Sequence, residues 1–457
     1  MEKELNFLDK IVSFAKHRGF VFLSSEIYGG FSSCYDYGPL GVELKNNIKK
    51  LWWEEMTRNH SNIVGLDSAI LMSPKVWEAS GHLSAGFADT LVECKRCHHR
   101  FRSDLLEGRF CPDCNGELTE PRKFNLMMRT FVGPLQDESS LTYLRAETCQ
   151  GIYVNFKNVV QSMRMKIPFG IAQIGKAFRN EITPKDFIFR TREFEQMEMQ
   201  WFCNPSPKLK KQKEAIEGYS PDDWFEYWVK ERMNWYYKIG FQKEHIRARE
   251  VPADELAHYA RRAVDIEYCF PFGWKEIEGV HNRGNWDLSN HSKHSGQDLS
   301  YRDEEGKKFI PYIIETSAGV DRILFALLCE GFTEVKGGRD RSVDSPKEVE
   351  VVLKINKKLA PVTVAVLPLV KNKVRITKKA KEIFSFLKRY FNCQYDETGS
   401  IGRRYRRQDE IGTPFCITVD FESLKNDDVT IRDRDTMRQK RVKNSRLLRV
   451  LLKEMEN

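Results

Sequence analysis

Residues 178–198 constrain this chain more than any other stretch. They read Phe178-Arg179-Asn180-Glu181, a loop ITPKDFIF, and then Arg190-Thr191-Arg192-Glu193-Phe194-Glu195-Gln196-Met197-Glu198. Two strands joined by a loop would present arginines, an aromatic ring and carboxylates toward one cleft. Side chains alternate along a strand, so Arg190, Arg192, Phe194, Gln196 and Glu198 are expected on one face. That combination suits a flat, anionic, aminated ligand: a nucleotide together with an amino group. An exposed strand knitted by cross-strand ion pairs would give the same pattern, and alternation alone leaves both readings open.

A second constraint is metal-like. Cys94-x2-Cys97 is followed after thirteen residues by Cys111-x2-Cys114. Two such knuckles can close four thiolates around one zinc ion. A complete thiolate shell leaves no open coordination position, so the zinc is expected to be structural. A redox CxxC would come singly beside a βαβ unit. His98 and His99 are expected to face solvent. The eleven cysteines are too few for a disulfide scaffold.

The 457 residues suit about three domains. The longest apolar run, residues 323–329, is seven long, whereas a membrane span needs about 20. With a charged N-terminal segment and no apolar leader, a cytoplasmic protein is expected. The net charge of +9 is unevenly spread: residues 351–457 carry +12 and the first 350 carry −3. Such asymmetry points to a C-terminal module that faces nucleic acid, although a merely solvated basic surface would look the same. Helices are expected over 7–18, 42–58, 376–391 and 444–456, and strands in FGIAQIG, FEQMEMQWF, VTVAVLPLV and CITVDF. Residues 203–223 read as a surface insertion and 336–348 as an interdomain linker.

The pattern Phe-Arg-x-Glu, loop, Arg-x3-Phe-x3-Glu resembles motif 2 of the class II aminoacyl-tRNA synthetases. Ser73-Pro74 and WEASGHLSAGFADT (77–90) are similar to motif 1 and the segment behind it, and Ser317-Ala318-Gly319-Val320-Asp321-Arg322 to motif 3. Four longer segments, 19–47, 144–158, 169–184 and 396–421, resemble the dimeric glycyl-tRNA synthetases in particular. The chain departs from that pattern in two places. The usual Arg-Pro-Glu-Thr-Ala-Gln reads Arg145-Ala146-Glu147-Thr148-Cys149-Gln150, and the usual Glu-Pro-Ser reads Glu315-Thr316-Ser317.

The resemblance implies an α+β catalytic domain on an antiparallel sheet (1–92 and 121–345), a zinc-binding insertion (93–120) and a C-terminal α/β anticodon-binding domain (346–457). It implies a homodimer without membrane attachment that uses ATP with Mg2+, glycine and tRNA. Arg179 and Arg322 are the implied catalytic residues. ATP would be bound by Arg179, Asn180, Glu181, Phe189, Arg190, Thr191, Arg192, Glu193, Phe194, Glu276, Ile277, Gly319, Val320, Asp321 and Arg322. Glycine would be bound by Arg102, Glu147, Phe194, Glu195, Gln196, Met197, Glu198, Glu315, Thr316, Ser317, Ala318 and Gly319. The implied tRNA contacts are Arg403, Arg404, Arg406 and Arg407, where cations flank an aromatic as RNA requires. Two other readings compete: a paralogue that kept the fold but lost aminoacylation, and a zinc-ribbon nucleic-acid-binding protein without catalysis. Intact Arg179, Phe194 and Arg322 argue against the first, and the long acidic body against the second.

Overall fold

The computed structural model describes residues 6–456 apart from 85–86, 104–105, 107, 183–185, 207–217 and 340–348. Parts of the 182–189 loop and of the 203–223 insertion, and most of the 336–348 linker, therefore lie outside the described residues.

The centre is a seven-stranded sheet. Its order is Ile246–Glu250, Arg262–Phe270, Gly273–Gly284, Tyr312–Gly319, Glu193–Cys203, Phe169–Phe178 and Ile63–Gly65. All neighbours are antiparallel except the last pair. The Glu193–Cys203 strand shows why two faces form. Its odd positions Met197, Met199 and Trp201 enter the main apolar core, while Gln196, Glu198 and Gln200 turn the other way and are buried as polar groups. Register completes the polar face: Glu198 lies opposite Ser317, Gln200 opposite Glu315, and Glu315 opposite His281.

Three helices cover the apolar face: Pro39–Thr57, Pro221–Ile239 and Val320–Gly331. The Pro221–Ile239 helix begins with a capping box between Ser220 and Asp223, has proline in its first turn, and stops at Gly240 with φ 114°. The seven-residue apolar run falls in the Val320–Gly331 helix, which is buried nearly all round. Among the described residues no helix is long and apolar enough to cross a membrane.

Residues 88–125 supply a small three-stranded sheet, Arg100–Arg102, Ala88–Glu93 and Arg122–Asn125, beside the cysteine knuckles. The C-terminal unit is a five-stranded mixed sheet with its own core, packed by the Val374–Leu387 and Asn444–Glu456 helices. Around the linker, Phe332–Lys336 pairs antiparallel with Val349–Leu353. Arg339 joins the same corner to Glu350 and Asp409, and Asp409 also takes both terminal nitrogens of Arg432 at 2.9 Å.

One ion pair crosses the helix–sheet interface inside the core. Arg232 donates to Glu278 at 2.6 and 3.2 Å, and Tyr236 donates to the same carboxylate at 2.7 Å. Both charged side chains are at most 1% exposed. Removing one partner would strand a buried charge. Arg232→Met is expected to destabilise the seven-stranded unit by about 3–5 kcal/mol, and adding Glu278→Leu should recover most of the loss. Denaturant midpoints of the three variants against the parent would measure this.

Candidate functional site

The polar face of the sheet opens into a cleft of about 300 Å³. Phe194, Gln196 and Glu198 reach it from one strand, Glu315, Ser317 and Gly319 from the next, and Arg322 from the helix beyond it. Arg179 enters from the end of the Phe169–Phe178 strand. Its Nε donates to the Ala146 carbonyl at 3.1 Å, and its guanidinium lies between the rings of Phe87 and Phe194, 5.5 and 5.4 Å away. Arg190 rests on Glu181 at 3.0 Å. Arg322 rests on Glu276 at 3.1 Å and over the ring of Phe189 at 4.5 Å. Thr191, Ile277 and Asp321 complete this end of the lining.

At the other end stand three buried glutamates, each with its own partners. Glu147 accepts from Cys149 Sγ at 3.0 Å and Gln150 Nε2 at 2.8 Å, with His82 Nε2 3.3 Å away. Glu198 accepts from Ser317 Oγ at 2.7 Å, from Gln196 at 3.2 Å and from Thr148 Oγ1. Glu315 accepts from Arg283 Nη1 at 3.2 Å and from Gln200 at 2.8 Å, with His281 Nδ1 3.1 Å away. Arg283 is itself clamped by both oxygens of Asp287 at 2.8 Å.

These environments separate the carboxyls. Burial pushes Glu198 up to about 7, helped by the negative charges of Glu315 and Glu147. Burial acts the same way on Glu315, but Arg283 and His281 overcome it and hold it at about 2. For Glu147, too, burial is outweighed, by His82 and Arg283, and its carboxyl lies well below the usual range. At the arginine-lined end of the cleft, burial and then Glu276 raise Asp265 to about 6.

The local sequence explains the placement of Glu147. Arg145, fully buried, donates to the carbonyls of Lys176 and Ser68 at 2.6 and 2.8 Å and so pins the turn that carries Glu147. A Cβ at Gly175 would lie 2.1 Å from Arg145 Nη2, so only glycine leaves this guanidinium room.

Several residues expected in the site lie elsewhere. Glu195 turns to the opposite face, where it pairs with Lys49 at 3.0 Å and Lys45 at 3.2 Å. Met197, Ala318 and Val320 pack in the core, and Thr316 is buried opposite Met199 and Val280. Arg192, expected to share a face with Phe194, instead donates to the carbonyls of Ser32 and Glu181, because the strand begins only at Glu193 and alternation does not reach back to it. Glu193 is exposed and pairs with Lys176. Asn180 is half-buried, its N–H bonded to the Leu126 carbonyl at 2.8 Å. Arg102 faces Asp89 at 3.2 Å on the small sheet. The cleft also takes Ile188, Tyr259, Asp265 and His281, which no sequence motif singles out. His281 and Arg283 alternate within the Gly273–Gly284 strand, a period-two signal that could have marked them; Tyr259 sits in a loop with none.

The four knuckle cysteines converge, with ligand atoms within 4.8 Å of one another; Cys94 and Cys114 sulfurs are 3.4 Å apart and those of Cys97 and Cys111 3.6 Å. The N–H groups of Cys97 and Arg96 donate to Cys94 Sγ and draw its thiol down to about 6. A Cβ at Gly116 would stand 2.9 Å from Cys94 Sγ and 3.3 Å from Cys114 Sγ, so glycine keeps this shell clear. His98 and His99 are exposed, beside Glu93 and Asp113.

In the C-terminal arginine cluster, Arg403 and Arg407 are exposed and Arg406 half-buried. Arg404 corrects the expectation of four RNA-facing cations. It is 1% exposed and donates to the carbonyls of Pro368, Leu369 and Asp396, which an arginine facing inward from the Ile401–Glu410 helix must do to satisfy its buried donors.

Residues 134–330 match the family model described as tRNA synthetase class II core domain (G, H, P, S and T), and residues 363–454 match that of the anticodon binding domain. The chain is 53% identical to glycine–tRNA ligase of Treponema denticola, over 100% of this chain and 99% of that one. It is 50% identical to that of Thermobifida fusca, over 95% of each chain. With that of Acetivibrio thermocellus it shares 48%, over 96% of this chain and 97% of the relative.

A raised carboxyl makes stability depend on pH with a fixed sign. Glu198 contributes most below its unfolded value near 4.5, and this contribution is lost as pH rises through about 7. Glu198→Gln is therefore expected to gain thermal stability over the parent progressively between pH 5 and pH 8. Unfolding midpoints across that range would check it; a parent that outlasts the variant more at pH 8 than at pH 5 would give the opposite sign.

Proposed function

Because this chain belongs to the class II glycine–tRNA ligases, we propose that the cleft joins glycine to ATP and that the basic C-terminal unit holds the tRNA that receives it. The observation that carries this reading is the convergence of Glu147, Glu198 and Glu315 beside Arg179 and Phe194 in one cleft.

Activation is attack of the glycine carboxylate on the α-phosphate, with pyrophosphate leaving; the terminal hydroxyl of tRNA then attacks the carbonyl carbon and AMP leaves. No residue is covalently modified, so catalysis rests on positioning and on charge held ready for the transition state. Arg179 bridges the glycine carboxylate and the α-phosphate, its plane fixed by the Ala146 carbonyl and two rings. Arg190 and Arg322 take the γ-phosphate end, exchanging their contacts with Glu181 and Glu276 for phosphate oxygens. Phe194 stacks on adenine and Glu181 reads the adenine amino group.

The three glutamates surround the glycine ammonium, whose charge offsets their mutual repulsion. Selection is steric: the pocket is crowded, and nothing smaller than glycine competes. Asp265 and Glu276 both line the cleft, and burial followed by the charge of Glu276 raises Asp265, so the two carboxylates are a donor set that fits Mg2+. Bound there with ATP, Mg2+ supplies neutralisation of phosphate charge. The four knuckle thiolates likewise fit a tetrahedral zinc ion, which would hold the 93–120 segment in shape. A homodimer formed around the Pro74 segment and a cytoplasmic setting belong to the same reading.

The direct test is ATP–pyrophosphate exchange across the twenty amino acids, in which glycine alone should support turnover. Phe194→Ala is expected to weaken ATP binding by about 1–3 kcal/mol while changing glycine binding less. An unchanged ATP affinity in the folded variant would return Phe194 to plain packing.

Transfer to tRNA should respond to salt differently from exchange. Phosphate contacts of the basic unit release counterions, whereas the arginines of the cleft are partly shielded from screening. Rising salt should therefore inhibit transfer before exchange. The double variant Arg403→Gln, Arg407→Gln should raise KM for tRNA and lower the log–log salt slope by about one for each phosphate it no longer neutralises. A folded double variant with unaltered slope would move the RNA contact elsewhere.

A further inference from the structure

The glutamate end of the cleft holds a donor that glycine activation does not need. Cys149 is buried at the start of the Cys149–Val154 helix, at a position where the chain departs from the family pattern. Its Sγ, one carboxylate oxygen of Glu198 and one of Glu315 all lie within 4.8 Å of one another. A tetrahedral shell with bonds of about 2.0–2.3 Å has ligand–ligand edges of about 3.5 Å, so closing this triangle takes shifts of about 1 Å.

Two further observations point to a cation rather than to packing. Arg283, which faces Glu315, also serves both oxygens of Asp287, and Glu147 has His82 beside it, whereas among the described residues no cation contacts Glu198. In addition, His281 lines the same cleft with its Nδ1 shielded from solvent 3.1 Å from Glu315 Oε1, so an imidazole stands next to one of the two carboxylates. Sulfur, carboxylate and imidazole together are the donors that zinc-like ions choose, whereas Mg2+ keeps to oxygen.

We propose that Cys149, Glu198 and Glu315 form a second metal site, which takes a thiophilic divalent cation such as Zn2+ in competition with the glycine ammonium. Binding makes one metal–sulfur and two metal–oxygen bonds; the thiol proton, now given to Glu147 at 3.0 Å, and the proton that Glu198 holds when neutral both pass to solvent. No oxidation state changes. The metal site stands on these distances alone; its competition with glycine rests on the reading of the pocket given above.

The test counts zinc. Full-length protein is equilibrated with zinc buffered at a fixed micromolar free concentration, and bound metal per chain is measured by elemental analysis. The parent is expected to hold about one zinc more than Cys149→Ala, and also more than Cys149→Ser, which keeps the side-chain volume with a weaker ligand. Saturating glycine at the same free zinc should remove that extra ion from the parent and leave the variants as they were. Equal zinc in the parent and both folded variants overturns the proposal. An extra ion that depends on Cys149 but stays in the presence of glycine supports the metal site, and overturns the placing of the ammonium there.

Discussion

Three carboxylates buried around one small cleft set the terms for everything near them. An ionised carboxylate away from water must be answered by hydrogen bonds or opposite charge, or it takes up a proton. The protein uses both remedies. Glu315 is answered by Arg283 and Glu147 by His82, while Glu198, with hydroxyl and amide donors but no cation in contact among the described residues, is the one of the three whose carboxyl rises. A ligand that brings an ammonium into this space completes an arrangement the free protein leaves short of positive charge. On the proposed reading of the cleft, preference for a small amino acid follows from that shortage together with the lack of room.

The sheet makes such crowding possible. Antiparallel register brings Glu198 against Ser317, and Glu315 against both Gln200 and His281, so both of these acids meet donors from the neighbouring strands. The pairing with the Tyr312–Gly319 strand shifts between Asn282 and Gly284, which leaves Arg283 outside it and free to serve Asp287 and Glu315. On the opposite face the same strands carry Met197, Met199 and Trp201 into the core, so the polar cleft and the apolar core share one backbone.

Much of this is legible in the linear chain. The residues on either side of the 182–189 loop announce two strands and a polar face, and Arg179, Arg190, Phe194, Glu198 and Arg322 do meet in one cleft. The paired cysteines announce convergence, and their sulfurs converge. What escapes has physical causes. Alternation holds only within a strand, and Arg192 lies one residue before the strand starts. A motif names positions without saying whether a backbone or a side chain matters there, so it groups Glu195 and Met197 with neighbours from which they point away. Charge counting cannot separate an arginine that faces solvent from one that caps carbonyls, and Arg404 is the second kind. Tyr259 comes from a loop, where no periodicity betrays it.

Asp321 opens the helix that carries Arg322 and accepts from Lys45 at 2.9 Å, from the Glu195 backbone N–H at 2.7 Å and from Tyr37. Lys45 is buried as well; burial works against its charge, but Asp321 and Glu195 more than offset this and hold its pKa above the ordinary range. The two residues are 276 positions apart, yet losing Lys45 would leave the buried Asp321 without its cation, and losing Asp321 would leave Lys45 with Glu195 alone. The start of the Pro39–Thr57 helix and the turn into the Val320–Gly331 helix are therefore held as one electrostatic unit, although all seven strands of the central sheet lie between them along the chain.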